Sequence, residues 1–391
     1  MSLNRTPRIM LVAGEASGDV LGGGLLAELR LRFPGLEAFG VGGARMGEQG
    51  VVSHCDLNEL SVIGLVEVVR RLPRLVTIFW QLVALLKQKR PDLLITIDLP
   101  DFNFLLARRA KALGIPRLHY VGPQVWAWRA GRAKRLVHLL DHLMVLFPFE
   151  AAFFAGSGLP VTFVGHPLAL KPIPDEETRR ATRRELGVVE GERLVVVLPG
   201  SRLGEIRRHL GVMVATCRLV AQSGKVRFVL ALANTLTPLD LEVVLKSEPN
   251  PGVRDFFRQI VVRQGETERL VAAADAALVT SGTVTLETAL LGTPMTVMYR
   301  VNRLTYEIGR RVIRVAHIAL PNLVAGRSLV PERIQNDARP EVLADDLRNL
   351  LFDGVSGECQ RVGFREIRHN LAQPARRPVD VAAELLIHAG F

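Results

Sequence analysis

The stretch ITIDLPDFN at residues 95–103, followed after a helix-like run by PRLHYVGPQVWAWR at 116–129, decides the fold. Each piece is a short apolar strand that stops abruptly in polar, Pro- or Gly-bearing loop residues. In open α/β sheets, ligands bind outside the carboxyl ends of the strands. The acid pair Asp98 and Asp101 and the loop with Trp126 and Trp128 therefore fall at one crevice. Two adjacent loops of this kind favour a site over a turn plus an aromatic plug.

The same alternation continues outward. Strands read at 8–13, 36–41, 93–97, 117–121, 142–146 and 161–164, with helical patterns between them. The Pro- and charge-rich KPIPDEE (171–177) reads as an interdomain linker. The pattern then restarts, with strands at 194–198, 227–231, 260–262, 276–279 and 295–298. Short loops between alternating strands and helices argue α/β architecture with doubly wound parallel sheets. The expected organisation is two Rossmann-like domains facing across a cleft. The first spans 1–170, a linker 171–190, the second 191–350, and a helical tail 351–391. Whether that tail packs back on the first domain is open.

The 391 residues suffice for two ordinary domains. They are 48% hydrophobic but only 6% aromatic, so the core is aliphatic, as suits parallel sheet covered by helices on both faces. Cys55, Cys217 and Cys359 lie far apart without a CxxC, which speaks against zinc and disulfides and for a reducing cytoplasm. The N-terminus lacks secretory architecture, and no apolar run is long enough to span a bilayer. Fifty basic against 39 acidic residues give +11, which favours anionic partners. Nucleic acid is not expected, because no RRM, KH or zinc-knuckle signature is present.

Four loops carry candidate chemistry. GEASGDVLGGG (14–24) leaves the first strand and opens a helix; its small residues admit a ligand to the backbone, and Glu15, Ser17 and Asp19 add polar groups. It is not GxGxxG, so the dinucleotide fingerprint fails. In DLPD, one Asp would cap the following helix. Asp101 sits nearer the helix start, which leaves Asp98 as a candidate general base. DLPD is not DxD, so no metal is inferred. In PGSRLGE (199–205), Ser201 and loop N–H groups could bind phosphate and Arg202 could pair with it; a capped helix with a surface Arg is the alternative. In VTSGTVTLE (279–287), Ser281, Gly282 and Thr283 open a helix whose N-terminus would stabilise a diphosphate, with Glu287 one turn in, placed for ribose hydroxyls.

His138 and His142 have helical spacing but no third ligand, so neither metal nor cofactor is expected. His166 in VGHP could line the cleft or serve as a hinge. The run 62–90 mixes cations with Val62, Ile63, Leu65, Val66, Val69, Leu72, Phe79 and Trp80. Such a mixture suits an anionic membrane interface. On sequence alone, ordinary core helices with solvated cationic faces are the preferred reading.

Together VAGEASGD, VGGARM, IGLVEV, IDLPDFN, HYVGPQVWAWR, FPFE, FVGHP, LPGSR, SGTVTLE and LPNLVAGR, in this order from residue 12 to 327, resemble the lipid-A-disaccharide synthase family of GT-B glycosyltransferases. The resemblance implies transfer of 2,3-diacylglucosamine from its UDP form to 2,3-diacylglucosamine 1-phosphate, an acylated sugar-phosphate acceptor. It implies a peripheral enzyme on the cytoplasmic face of the inner membrane, and it tips the run 62–90 towards membrane contact. Asp98 matches the family's base; Arg202 and Asn322 match polar residues around UDP; Ser281, Gly282, Thr283 and Glu287 match its nucleotide loop. Glu15, Ser17 and Gln124 fall on the acceptor side. Ile63 departs from a common Met, which leaves an apolar residue in place. Oligomeric state is left open.

Overall fold

The computed structural model describes residues 5–60, 65–123, 136–312 and 316–391. Contacts divide the chain into two compact units. One comprises Met1–Pro167 and Gln373–Phe391, the other Leu168–Ala372.

Unit 1 is built on β1 (Arg8–Ala13), β2 (Glu37–Val41), β3 (Val52–Ser53), β4 (Leu93–Ile97), β5 (Arg117–Tyr120), β6 (His142–Val145) and β7 (Val161–Phe163). They form one parallel sheet in the order β3-β2-β1-β4-β5-β6-β7. Every residue of β4 is buried, as a strand covered on both faces requires. The order reverses between β1 and β4. Register pairs Ala13 with Ile97 and Ile97 with Tyr120. Gly14, Asp98 and Val121 therefore leave the sheet side by side.

Unit 2 contains β8 (Arg193–Leu198), β9 (Val226–Leu232), β10 (Val261–Gln264), β11 (Ala276–Thr280), β12 (Met295–Tyr299) and β13 (Glu332–Ile334). Its parallel order is β10-β9-β8-β11-β12-β13, reversing between β8 and β11. The loops after those two strands are the ones carrying Ser201–Arg202 and Ser281–Thr283.

Several sequence expectations need adjustment. Strands β3 and β13 were not predicted: both are edge strands of two or three residues, none of them buried, so neither leaves an apolar run. The segment read as a linker carries the helix Glu176–Glu185, capped by Asp175 accepting from Thr178 N at 2.8 Å, and this helix lies within unit 2. In the C-terminal region, the helix Ser356–Ala372 belongs to unit 2. The helix Pro378–His388 returns to unit 1, where Val379, Val381, Ala382, Ala383 and Leu386 join its core.

Candidate functional site

In unit 1 the candidate base sits on an unusual turn. Asp98 and Leu99 are both left-handed, with φ of 54° and 45°, and neighbouring Val121 has φ 78°. Left-handed backbone costs non-Gly residues energy, and a β-branched residue most. Packing holds the turn in place. Asn103, fully buried, donates from Nδ2 to the carbonyls of Asp98 at 2.7 Å and Ile97 at 3.3 Å. Asp98 N donates to Tyr120 O at 2.9 Å, and Gly14 N to Ile97 O at 3.2 Å. A Cβ on Gly14 would stand 2.3 Å from that of Leu99, so the approach of the two loops requires glycine. The Asp98 carboxylate accepts from Leu99 N at 2.8 Å and is half-buried at the strand end.

Asp101 is not the cap. Leu99 occupies the N-cap position without a side-chain bond, Pro100 fills N1, and Asp101 lies exposed in the first turn. Proline's fixed φ suits N1 and starts the helix earlier than the apolar pattern implied.

In the loop after β1, Glu15 is the N-cap of the helix Ala16–Arg32 and Ser17 is exposed in its first turn. Asp19 has turned inward. Its carboxylate accepts from Gly43 N, Arg45 N and Met46 N at 2.7–3.0 Å, capping the short helix Ala44–Glu48. Gln124, Trp126 and Trp128 lie outside the described residues, as do Val62 and Ile63 and the side chains of Leu65, Val66 and Val69.

The helix Leu65–Lys89 packs Ile78, Leu82, Val83, Leu85 and Leu86 into the core. Leu72, Val76 and Trp80, four apart, are 51, 47 and 50% exposed along the opposite side. The Arg109 guanidinium stands over the Trp80 ring at 5.1 Å. Phe79 departs from the expected membrane face. It packs inward, edge-on to Phe102 at 6.0 Å, because its helical position faces the core.

In unit 2, Gly200 has φ 117° and lets Glu205 fold back, its carboxylate accepting from Ser201 N at 2.9 Å. That loop N–H is therefore engaged within the protein. The Arg202 side chain is 63% exposed and meets Glu205 at 3.6 Å, a surface pair worth little. Gly282 caps the helix Thr283–Leu290, with Thr283 exposed; Ser281 is half-buried, its N donating to Met298 O at 3.1 Å. Glu287 lines a cavity with Lys171, Thr267, Glu268, Val284 and Arg368. Burial raises its carboxyl above the usual range; Lys171 opposes this and Glu268 adds to it.

Asn322 has a more internal part than expected. Its Nδ2 donates to Val330 O and Glu332 Oε1 at 2.9 and 2.7 Å, and its Oδ1 accepts from Leu329 N and Val330 N at 2.7 and 2.8 Å. All four positions of the amide are engaged in shaping the turn into β13.

Two residues escaped the sequence reading. Asn103 sits four residues after Leu99, one helical turn from the loop it holds. Buried His209 ties three strand ends together. Its Nε2 lies 3.1 Å from Arg300 N and 3.0 Å from Arg300 O, and its Nδ1 lies 3.2 Å from Pro199 O and 3.3 Å from Thr280 Oγ1. His209 follows Arg202 by two helical turns. Among the described residues, no group of three His, Cys, Asp or Glu is placed to hold a metal ion.

Solved structures with this architecture include a UDP-GlcNAc 2-epimerase from Neisseria meningitidis bound to UDP-GlcNAc (TM-score 0.58, 13% identity, covering 97% of this chain and 98% of that one). The glycotransferase of kitacinnamycin is another (TM-score 0.59, 16% identity, 99% and 100%). The class so defined is the two-domain α/β fold of the GT-B glycosyltransferases. The lipid-A-disaccharide synthetase profile matches residues 9–385. Lipid-A-disaccharide synthase of Anaeromyxobacter dehalogenans (strain 2CP-C) is 42% identical over 97% of both chains. That of Syntrophus aciditrophicus (strain SB) is 44% identical, also over 97% of both. The chain therefore belongs to the lipid-A-disaccharide synthetase family and is a glycosyltransferase of lipid A biosynthesis.

Proposed function

We propose that the enzyme transfers 2,3-diacylglucosamine from UDP-2,3-diacylglucosamine to the 6-hydroxyl of 2,3-diacylglucosamine 1-phosphate, with inversion. The products are UDP and the β-1,6-linked disaccharide 1-phosphate. The observation that carries this reading is the Asp98 carboxylate, held at a strand end by a turn that Asn103 braces. Asp98 takes the proton from the acceptor hydroxyl as the oxygen attacks C1 of the donor sugar from the face opposite UDP. Glu15, Ser17 and Gln124 serve the acceptor.

UDP leaves from the loops at the β8/β11 reversal. The helix start at Ser281–Thr283 and the Arg202 guanidinium stabilise its diphosphate, and Glu287 binds the ribose. Arg202 exchanges its loose contact with Glu205 for the phosphate. Asn322 supports the donor side through the turn it shapes. No step is assigned to a metal.

Both substrates carry acyl chains, and each buried methylene is worth about 0.8 kcal/mol, so they stay in lipid unless the enzyme meets them there. Among the described residues, no helix is long and apolar enough to cross a membrane. The face of Leu72, Val76 and Trp80 beside Arg109 docks peripherally on the cytoplasmic side of the inner membrane.

The test is incubation with both substrates in detergent and EDTA, with the disaccharide read by mass spectrometry. Disaccharide with matched UDP release is expected. The Asp98→Asn variant should lose turnover by at least about a hundredfold, as for loss of a general base, while binding UDP normally. Full activity in that variant would refute the assignment.

A further inference from the structure

Unit 2 also has a cationic recess, between the helix Leu203–Val220 that follows the Ser201–Arg202 loop and the ends of β12 and β13. Arg208, Arg300, Val301, Gln335 and Asn336 line it. It opens outside the carboxyl ends of β12 and β13, where Tyr299 pairs with Ile334. Both ionised lining groups are guanidinium, and none is a carboxylate.

The walls are fixed. Gln335 is left-handed, φ 56°, and its side chain clasps Val301, accepting from Val301 N at 3.1 Å and donating to Val301 O at 2.8 Å. Arg300 donates to Ala338 O at 2.7 Å and to Gln335 O at 3.3 Å, while its own backbone is tied to His209. Arg208 donates to Arg300 O at 3.2 Å, bringing the second guanidinium to the same rim. Partial burial lowers the basicity of Arg300, the mark of a cation taken from water without a counter-charge.

We propose that this recess is a second phosphoryl-anion subsite, separate from the donor loops at Ser201–Arg202 and Ser281–Thr283. Paired planar guanidinium groups match phosphate oxygens in number and geometry. The proposed reaction enters only in naming the phosphoryl compound: the anomeric phosphate of an acylated sugar, or a lipid headgroup.

Equilibrium dialysis of the full chain with radiolabelled inorganic phosphate, at saturating UDP, tests it. One equivalent of phosphate should remain bound. Arg208→Gln, at an exposed position, should weaken that binding about tenfold, the loss of one charged hydrogen bond, and leave UDP affinity unchanged. Arg300→Lys, which retains charge but not the fork, should weaken it as well. Displacement of the phosphate by glucosamine 1-phosphate or by phosphatidylglycerol vesicles would support the site and name its occupant. Phosphate expelled by UDP, no bound phosphate, or unchanged binding in Arg208→Gln would each overturn it. Turnover without phosphate binding refutes this subsite alone; phosphate binding without turnover refutes the reaction alone.

Discussion

Three left-handed residues without glycine, Asp98, Leu99 and Val121, meet at two adjacent strand ends. Each costs on the order of 1–3 kcal/mol and persists only where its surroundings over-determine it, which is typical of functional sites. Here the surroundings are Asn103, Tyr120 and Gly14. The apolar run and the Pro revealed where strand and helix lie. They could not reveal that Leu99 rather than Asp101 occupies the cap, because that depends on partners distant in sequence. Histidine sets an acid limit. Burial holds His166, whose ring centroid lies 5.2 Å from that of Phe147, down to about 4, and fully buried His119 down to about 3, from 6.5. The unfolded chain takes up these protons first. Stability is therefore complete above about pH 6.5 and falls towards pH 4, by about 1.4 kcal/mol per pH unit for each group. Urea midpoints at pH 7 and pH 5 should show this loss, and His166→Phe should reduce it.

Among elements, the helix Leu65–Lys89 illustrates how far periodicity reaches. Its mixture of cations and large aliphatics was legible, but not which residues faced outward; Phe79 and Trp80 are neighbours with opposite fates. The edge strands β3 and β13 were silent for a related reason, since a half-exposed strand needs no apolar run. The outward face makes a prediction. Replacing Leu72 and Trp80 together with Ser should cut sedimentation with anionic vesicles at least tenfold, on the basis of roughly 1.5–3 kcal/mol for each large apolar side chain buried. Because both are half-exposed, the free energy of unfolding should fall by no more than about 2–3 kcal/mol. Unchanged sedimentation would remove this face from membrane binding.

Across the whole molecule, both sheets reverse strand order where the candidate loops emerge; strand–helix alternation made the doubly wound parallel sheets readable, but not their strand order. The return of Pro378–His388 to unit 1 was not readable either, because an apolar helix face does not say which core it completes. Leu386 is fully buried there, and Arg32 pairs with Asp380 at 3.0 Å. Leu386→Ala should cost about 2–5 kcal/mol, read as an earlier melting of unit 1 by hydrogen exchange, with unit 2 protected as before. This return also bears on how the chain is made. Unit 1 is synthesised first but cannot close its core until all of Leu168–Ala372 has left the ribosome. At ~5–20 residues per second that delay is on the order of ten to forty seconds. During that interval the surface awaiting Val379, Ala382 and Leu386 is bare, and a nascent-chain chaperone would find its client there rather than in the unit that emerges later.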